Sequence, residues 1–212
     1  MNRKKSPKIS KRELRIAIWI AEQGAVRLST LEKYIALEGT SIHSSGVRRI
    51  AQKLVAVGLA NKDQILAGSS ILWPTSDALV LAGFPVVRGG SVRRPSLSTL
   101  LHSIVVSEIR IIYESNGSKW ICERKLQDKY INHLPDGLAI HNGINILVEV
   151  DLSRKDKDRL QSIMRINASI KNHVVDYWIT PDLKDFFEEQ RSLLPLTIRE
   201  NVRSFLIPKD LL

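Results

Sequence analysis

Apolar residues recur at helical spacing three times early in the chain. Over residues 11–23, Leu14, Ile16, Ala17, Ile18, Ile20 and Ala21 make a broad apolar face, and Gly24 supplies a stop. Ser29 stands ahead of Leu31 and Glu32 as an N-cap, which predicts a second helix to about Glu38, with Gly39 beyond it. Over residues 45–59, Val47, Ile50, Leu54 and Val57 share one face while Arg48, Arg49, Gln52 and Lys53 fall mostly away from it. That pattern predicts an amphipathic helix with a basic outer surface. The period then shortens. Residues 60–66 and 71–73 flank the turn residues 67–70 and predict two strands of a wing, followed by a short helix over 76–82, capped by Ser76 and ended by Gly83.

Residues 84–97 hold two prolines, Gly89-Gly90 and three arginines without sustained periodicity, which predicts a basic linker. A long apolar face through Leu100, Ile104, Val105, Ile109, Ile112 and Tyr113 follows, stopped at Asn116-Gly117. Residues 119–123 read as a strand. Asn142-Gly143 between two β-prone runs is a strong hairpin signal, because both residues accept positive φ. A helix over 156–170, a buried strand over 174–179, a helix over 182–194 and a strand over 204–208 complete the pattern. The expected fold is α/β (α+β), its second part an α/β sandwich with a central mixed sheet. Four segments are expected: a basic flexible arm 1–10, a helical and winged domain 11–83, the linker 84–97 and a second domain 98–212.

With 212 residues, 43% hydrophobic and 25% charged, the chain has the composition of an ordinary globular protein able to build two cores. Its one cysteine, Cys122, excludes an intrachain disulfide framework and a cysteine-rich zinc site, and suits a reducing cytoplasm. No uncharged apolar run is long enough to span a bilayer, and Arg12, Glu13 and Arg15 interrupt the place of a signal-peptide core. The expectation is a cytoplasmic protein with no membrane partner. No Walker-type glycine loop occurs, so ATP hydrolysis is not indicated.

Charge changes the picture most. The net +10 lies in residues 1–97, with 16 Lys and Arg against 6 Asp and Glu, whereas residues 98–212 hold 16 of each. A basic half beside a neutral half points to a polyanion, most economically nucleic acid, with double-stranded DNA the partner favoured by the layout that follows. Three helices and a two-stranded wing are the layout of a winged helix-turn-helix, whose third helix enters the major groove. Ser44, Ser45, Arg48, Arg49 and Lys53 would face the groove and Lys62 would stand on the wing. Winged helices also dock proteins, and a basic helix face can simply be solvated.

In the second part, Glu149 and Asp151 are two apart on one strand and so share a face, and Asp136 opens the partner strand after Pro135. Three carboxylates at one end of a hairpin could hold Mg²⁺ or Mn²⁺ for phosphodiester cleavage, or be solvated or paired with Lys and Arg. Pro135-Asp136 and Glu149-Val150-Asp151, in the order helix, strand, strand, strand, helix, strand, resemble the core of the PD-(D/E)xK nuclease superfamily. The lysine that ends the second motif in active members is replaced by Asp151, and Lys155, Lys157 and Lys125 are the nearest substitutes in sequence. Arg48-Arg49 with Val57-Gly58-Leu59, residues 71–75, His102, Pro135-Asp136-Gly137 and Val148-Glu149-Val150-Asp151 together resemble the replication-relaxation family. That resemblance implies a winged helix joined to a nuclease-like domain, on plasmids and other mobile elements, with DNA binding linked to replication or its control.

Two functions stand at this point. One is a DNA-binding regulator or replication-control protein whose second domain serves a homodimer or a contact with a replication protein. The other is a metal-dependent endonuclease in which Asp136, Glu149 and Asp151 hold the ion and Lys155 assists.

Overall fold

The computed structural model describes residues 8–64, 70–86, 94–130 and 132–212. Most of the expected basic arm, the tip of the wing and the middle of the linker lie outside the described residues. Contacts divide the chain into two compact units, Met1–Ile111 and Ile112–Leu212.

In the first unit α1 (Lys11–Gln23) opens with a capping box: Ser10 Oγ accepts the Glu13 amide, and the Glu13 carboxylate accepts the Ser10 amide. Gly24 ends it at φ 80°, a conformation that favours glycine. There follow β1 (Val26–Arg27), α2 (Leu28–Leu37), α3 (Ser44–Ala56), β2 (Ala60–Gln64), β3 (Ser70–Pro74) and α4 (Ser76–Leu81). The strands form an antiparallel sheet in the order β1-β3-β2. Ile16, Ile20, Leu31, Ile35, Leu54 and Leu72 are fully buried at the centre of the unit. Two caps differ from the expected ones. The N-cap position of α2 is Arg27 rather than Ser29, and α4 is capped by Thr75, whose Oγ1 accepts the Ala78 amide.

The boundary between units falls inside α5 (Leu97–Ser115), not in the 84–97 segment. Apolar and charged groups both tie α5 to the first unit: Leu100 and Ile104 pack with Ala25, Ile71 and Trp73. Glu108 of α5 is buried, and its carboxylate accepts bonds from Thr30 Oγ1 and, at 2.8 Å, Lys33 Nζ. Arg110, also buried, donates to Glu22 at 2.8 Å and lies over the Trp19 ring, which stacks on Tyr34. Buried charges need such partners, so this part of α5 belongs to the unit that supplies them.

The second unit contains β4 (Lys119–Cys122), β5 (Gly137–His141), β6 (Ile144–Asp151), α6 (Lys157–Ala168), β7 (His173–Ile179), α7 (Lys184–Ser192), α8 (Leu196–Arg199) and β8 (Val202–Leu206). Its five strands lie in sequence order; β4, β5 and β6 are antiparallel neighbours, while β7 and β8 run parallel to β6. The sheet is therefore mixed, as expected. Asn142 and Gly143 turn the β5-β6 hairpin at φ 49° and 80°. Leu138, Leu147, Val175 and Ile179 pack on Leu160 and Met164 of α6 and Phe187 of α7. On the opposite face the Tyr113 hydroxyl donates to buried Asp176, which also accepts from Arg203 Nε at 2.6 Å. Among the described residues no helix is long and apolar enough to cross a membrane.

Candidate functional site

The first candidate surface is built on α3, which contains no acidic residue. Val47, Ala51 and Leu54, spaced at i, i+4 and i+7, are buried and fix the rotation of the helix. Ser44, Ser45, Arg48, Arg49 and Gln52 consequently line the exposed side. Neither Arg48 nor Arg49 forms a salt bridge among the described residues. Lys53 differs from them: it turns back onto α1, and its Nζ sits 2.7 Å from Glu13 Oε2, the same oxygen that closes the capping box. Lys62 is exposed on β2, whereas neighbouring Asp63 is paired with Arg94 at 3.0 Å.

A cavity of about 250 Å³ opens where α2 and α3 begin, lined by Arg27, Ser29, Ser44, Arg48 and Ser70, with Glu32 beside them. The N-cap positions of both helices, Arg27 and His43, make no side-chain cap hydrogen bond. Helix starts carry partial positive charge, which favours an anion, while the Glu32 carboxylate in the same lining opposes one.

The second candidate surface is the acidic end of the β5-β6 hairpin, and here each carboxylate is already engaged. Asp136 Oδ2 accepts the Val150 amide at 2.7 Å. Glu149, only 2% exposed, has Oε1 at 2.7 Å from His133 Nε2 and 2.9 Å from the donating Asn167 Nδ2. Asp151, also buried, pairs with Lys155 Nζ. Among the described residues no group of three or more His, Cys, Asp or Glu side chains is arranged to hold a metal ion. The donor set Asp136, Glu149 and Asp151 thus shares one end of the hairpin without fitting a three-carboxylate Mg²⁺ or Mn²⁺ centre. Of the three substitute lysines, Lys155 pairs directly with Asp151; Lys157 reaches toward Glu189 at 3.7 Å, and Lys125 lies in the turn after β4.

His133 and Asn167 complete the cluster and were not expected from the sequence. Asn167 carried a usable signal, because it interrupts the apolar face of Ile163, Met164 and Ala168, and a polar group placed there needs a partner. His133 carried none, since its partner Glu149 is brought to it by the hairpin.

Burial pushes the Glu149 carboxyl up to about 7, with the His133 hydrogen bond opposing. The same hydrogen bond raises the His133 imidazole above its ordinary value, with burial opposing. Both groups hold protons more tightly in the folded chain than in the unfolded one. Their stabilisation is complete below the unfolded values and is lost as pH rises through the folded ones. The second unit is therefore expected to lose stability as pH rises through about 7, read as a falling urea midpoint. Glu149→Gln should flatten that profile; an unchanged slope would contradict the assignment.

Comparison with known proteins finds no matching family model, no similar curated protein and no similar solved structure.

Proposed function

We propose that the protein binds double-stranded DNA through α3 and acts in replication control or transcriptional regulation of a mobile element in the cytoplasm. The observation that carries this reading is the exposed, acid-free side of α3 bearing Arg48 and Arg49. The order α1, β1, α2, α3, β2, β3 with the sheet β1-β3-β2 supports a winged helix-turn-helix, with α3 in the major groove and Lys62 toward the backbone. The concentration of the whole charge excess in residues 1–97 supports the same polyanion. Lys53 is not a contact in this reading. Lys53→Ala is expected to cost the first unit up to about 1 kcal/mol through its ion pair with Glu13, and to leave DNA affinity nearly unchanged.

The second unit is read as a PD-(D/E)xK-like scaffold used for interaction, as a homodimer contact or a docking site for a replication protein. Engagement of all three carboxylates supports inactivity. The metal-dependent endonuclease has one observation in its favour, the approach of Lys155 to Asp151 where the motif lysine is missing. Incubation with supercoiled plasmid, with and without manganese, separates the two. The regulator reading expects a gel shift and intact DNA; manganese-dependent nicking abolished by Glu149→Ala would replace it with the endonuclease.

A further inference from the structure

Beside the acidic cluster, and lined in part by its His133, the second unit contains an open cleft of about 590 Å³. Its volume lies in the range of small-molecule sites, roughly 300–1,000 Å³. Lys129 and Arg165 stand exposed on it, and neither forms a salt bridge among the described residues. No carboxylate is among the described residues that line the cleft, and the nearest one shown, buried Glu149, is held by the lining residue His133 at 2.7 Å. Tyr130, Ile166 and Ile170 supply an apolar surface. Tyr130 and Ile170 also pack on the core of the unit, and the Tyr130 hydroxyl lies 3.3 Å from His173 Nε2, so the ring is held in place. Asn132 and Ser169 add neutral hydrogen-bonding groups.

An occupant that satisfies these walls carries an anionic group for Lys129 and Arg165 and a flat apolar body for Tyr130 and the isoleucines. Arginine binds phosphate in paired hydrogen bonds, and a fixed aromatic ring stacks on a base. We infer that this cleft binds a nucleoside monophosphate unit, with the phosphate on Arg165 and Lys129 and the base against Tyr130. A free nucleotide and the phosphorylated end of a strand present the same chemistry. The site is separate from α3 and does not rest on the duplex-binding reading.

The test is calorimetric titration of the full chain with TMP and dAMP, with thymidine and inorganic phosphate as comparisons. The nucleotides are expected to bind, and both comparison compounds to bind at least about tenfold more weakly. Arg165→Ala and Lys129→Ala, both at exposed positions, should each weaken nucleotide binding about tenfold and leave the far-UV circular dichroism spectrum unchanged. The Arg48→Ala, Arg49→Ala variant should bind nucleotide as the unaltered protein does, even if duplex binding fails. Oligothymidylate with a 5′-phosphate, compared with its 5′-hydroxyl form and with TMP, tells a strand end from a free nucleotide. Absence of nucleotide binding at millimolar concentration, equal affinity for inorganic phosphate, or affinity unchanged in both Arg165→Ala and Lys129→Ala would overturn the assignment.

Discussion

The Arg48→Ala, Arg49→Ala double variant is expected to bind duplex DNA roughly 30-fold more weakly than the unaltered protein, with its fold intact. Both side chains are exposed on α3, so their removal should change stability by no more than about 0.5 kcal/mol. The binding loss follows from their charge. A cation that neutralises a phosphate releases a counterion, and each such contact contributes about 0.9 to the slope of log affinity against log salt. If both arginines contact phosphates, the double variant should have a slope shallower by about 1.8. If one of them reads a base edge, the slope changes less and discrimination between sequences falls. Fluorescence anisotropy over a salt series distinguishes these cases. Undiminished affinity in the double variant would remove α3 from the interface.

The largest stability effect is expected at Gly137, the first residue of β5. A Cβ added there would stand 2.0 Å from Trp120 Cζ2 and 2.6 Å from two further atoms of the same ring. Trp120 is buried and packs against Tyr113 with ring centres 5.8 Å apart, so it has little room to withdraw. The alternative is movement of β5, which is held on both sides through Cys122 and Val148. Asp136 would then be pulled from the Val150 amide. Gly137→Ala is expected to cost about 3 kcal/mol, seen as a lower urea midpoint for the second unit. Gly143→Ala makes a useful contrast: nothing lies within 4 Å of its Cβ position, but φ is 80°, so backbone strain alone should cost about 1 kcal/mol. Equal losses at the two positions would mean that Trp120 yields.

The elements legible in the sequence are those whose signal is local. Asn142-Gly143 declares its hairpin through backbone preference, and the spacing of Val47, Ile50, Leu54 and Val57 sets Arg48 and Arg49 on the outer side, although it is Ala51 that is buried with Val47 and Leu54. Lys53 lies on the same helix, yet its partner Glu13 is forty residues earlier and no local pattern points to it. β1 has only two residues, too few to display a period. Residues 84–97 mark a break in periodicity, which locates irregular chain but not the unit boundary. Across that boundary α5 is tied to the first unit by contacts between distant segments, Leu100 and Ile104 with Ala25, Ile71 and Trp73, and Glu108 and Arg110 with Thr30, Lys33 and Glu22. The acidic cluster follows the same division. Strand parity put Glu149 and Asp151 on one face and sequence proximity offered Lys155, four residues on, while the engagement of Glu149 with His133 and Asn167 is a tertiary fact.

Hydrogen–deuterium exchange of the full chain, with and without a duplex, tests most directly whether α3 is the element that meets DNA. The account predicts slowed exchange in residues 44–56 and at the start of α2 when duplex is added, with residues 112–212 unchanged. Protection confined to residues 112–212, or no protection at a duplex concentration that shifts the protein on a gel, would contradict it.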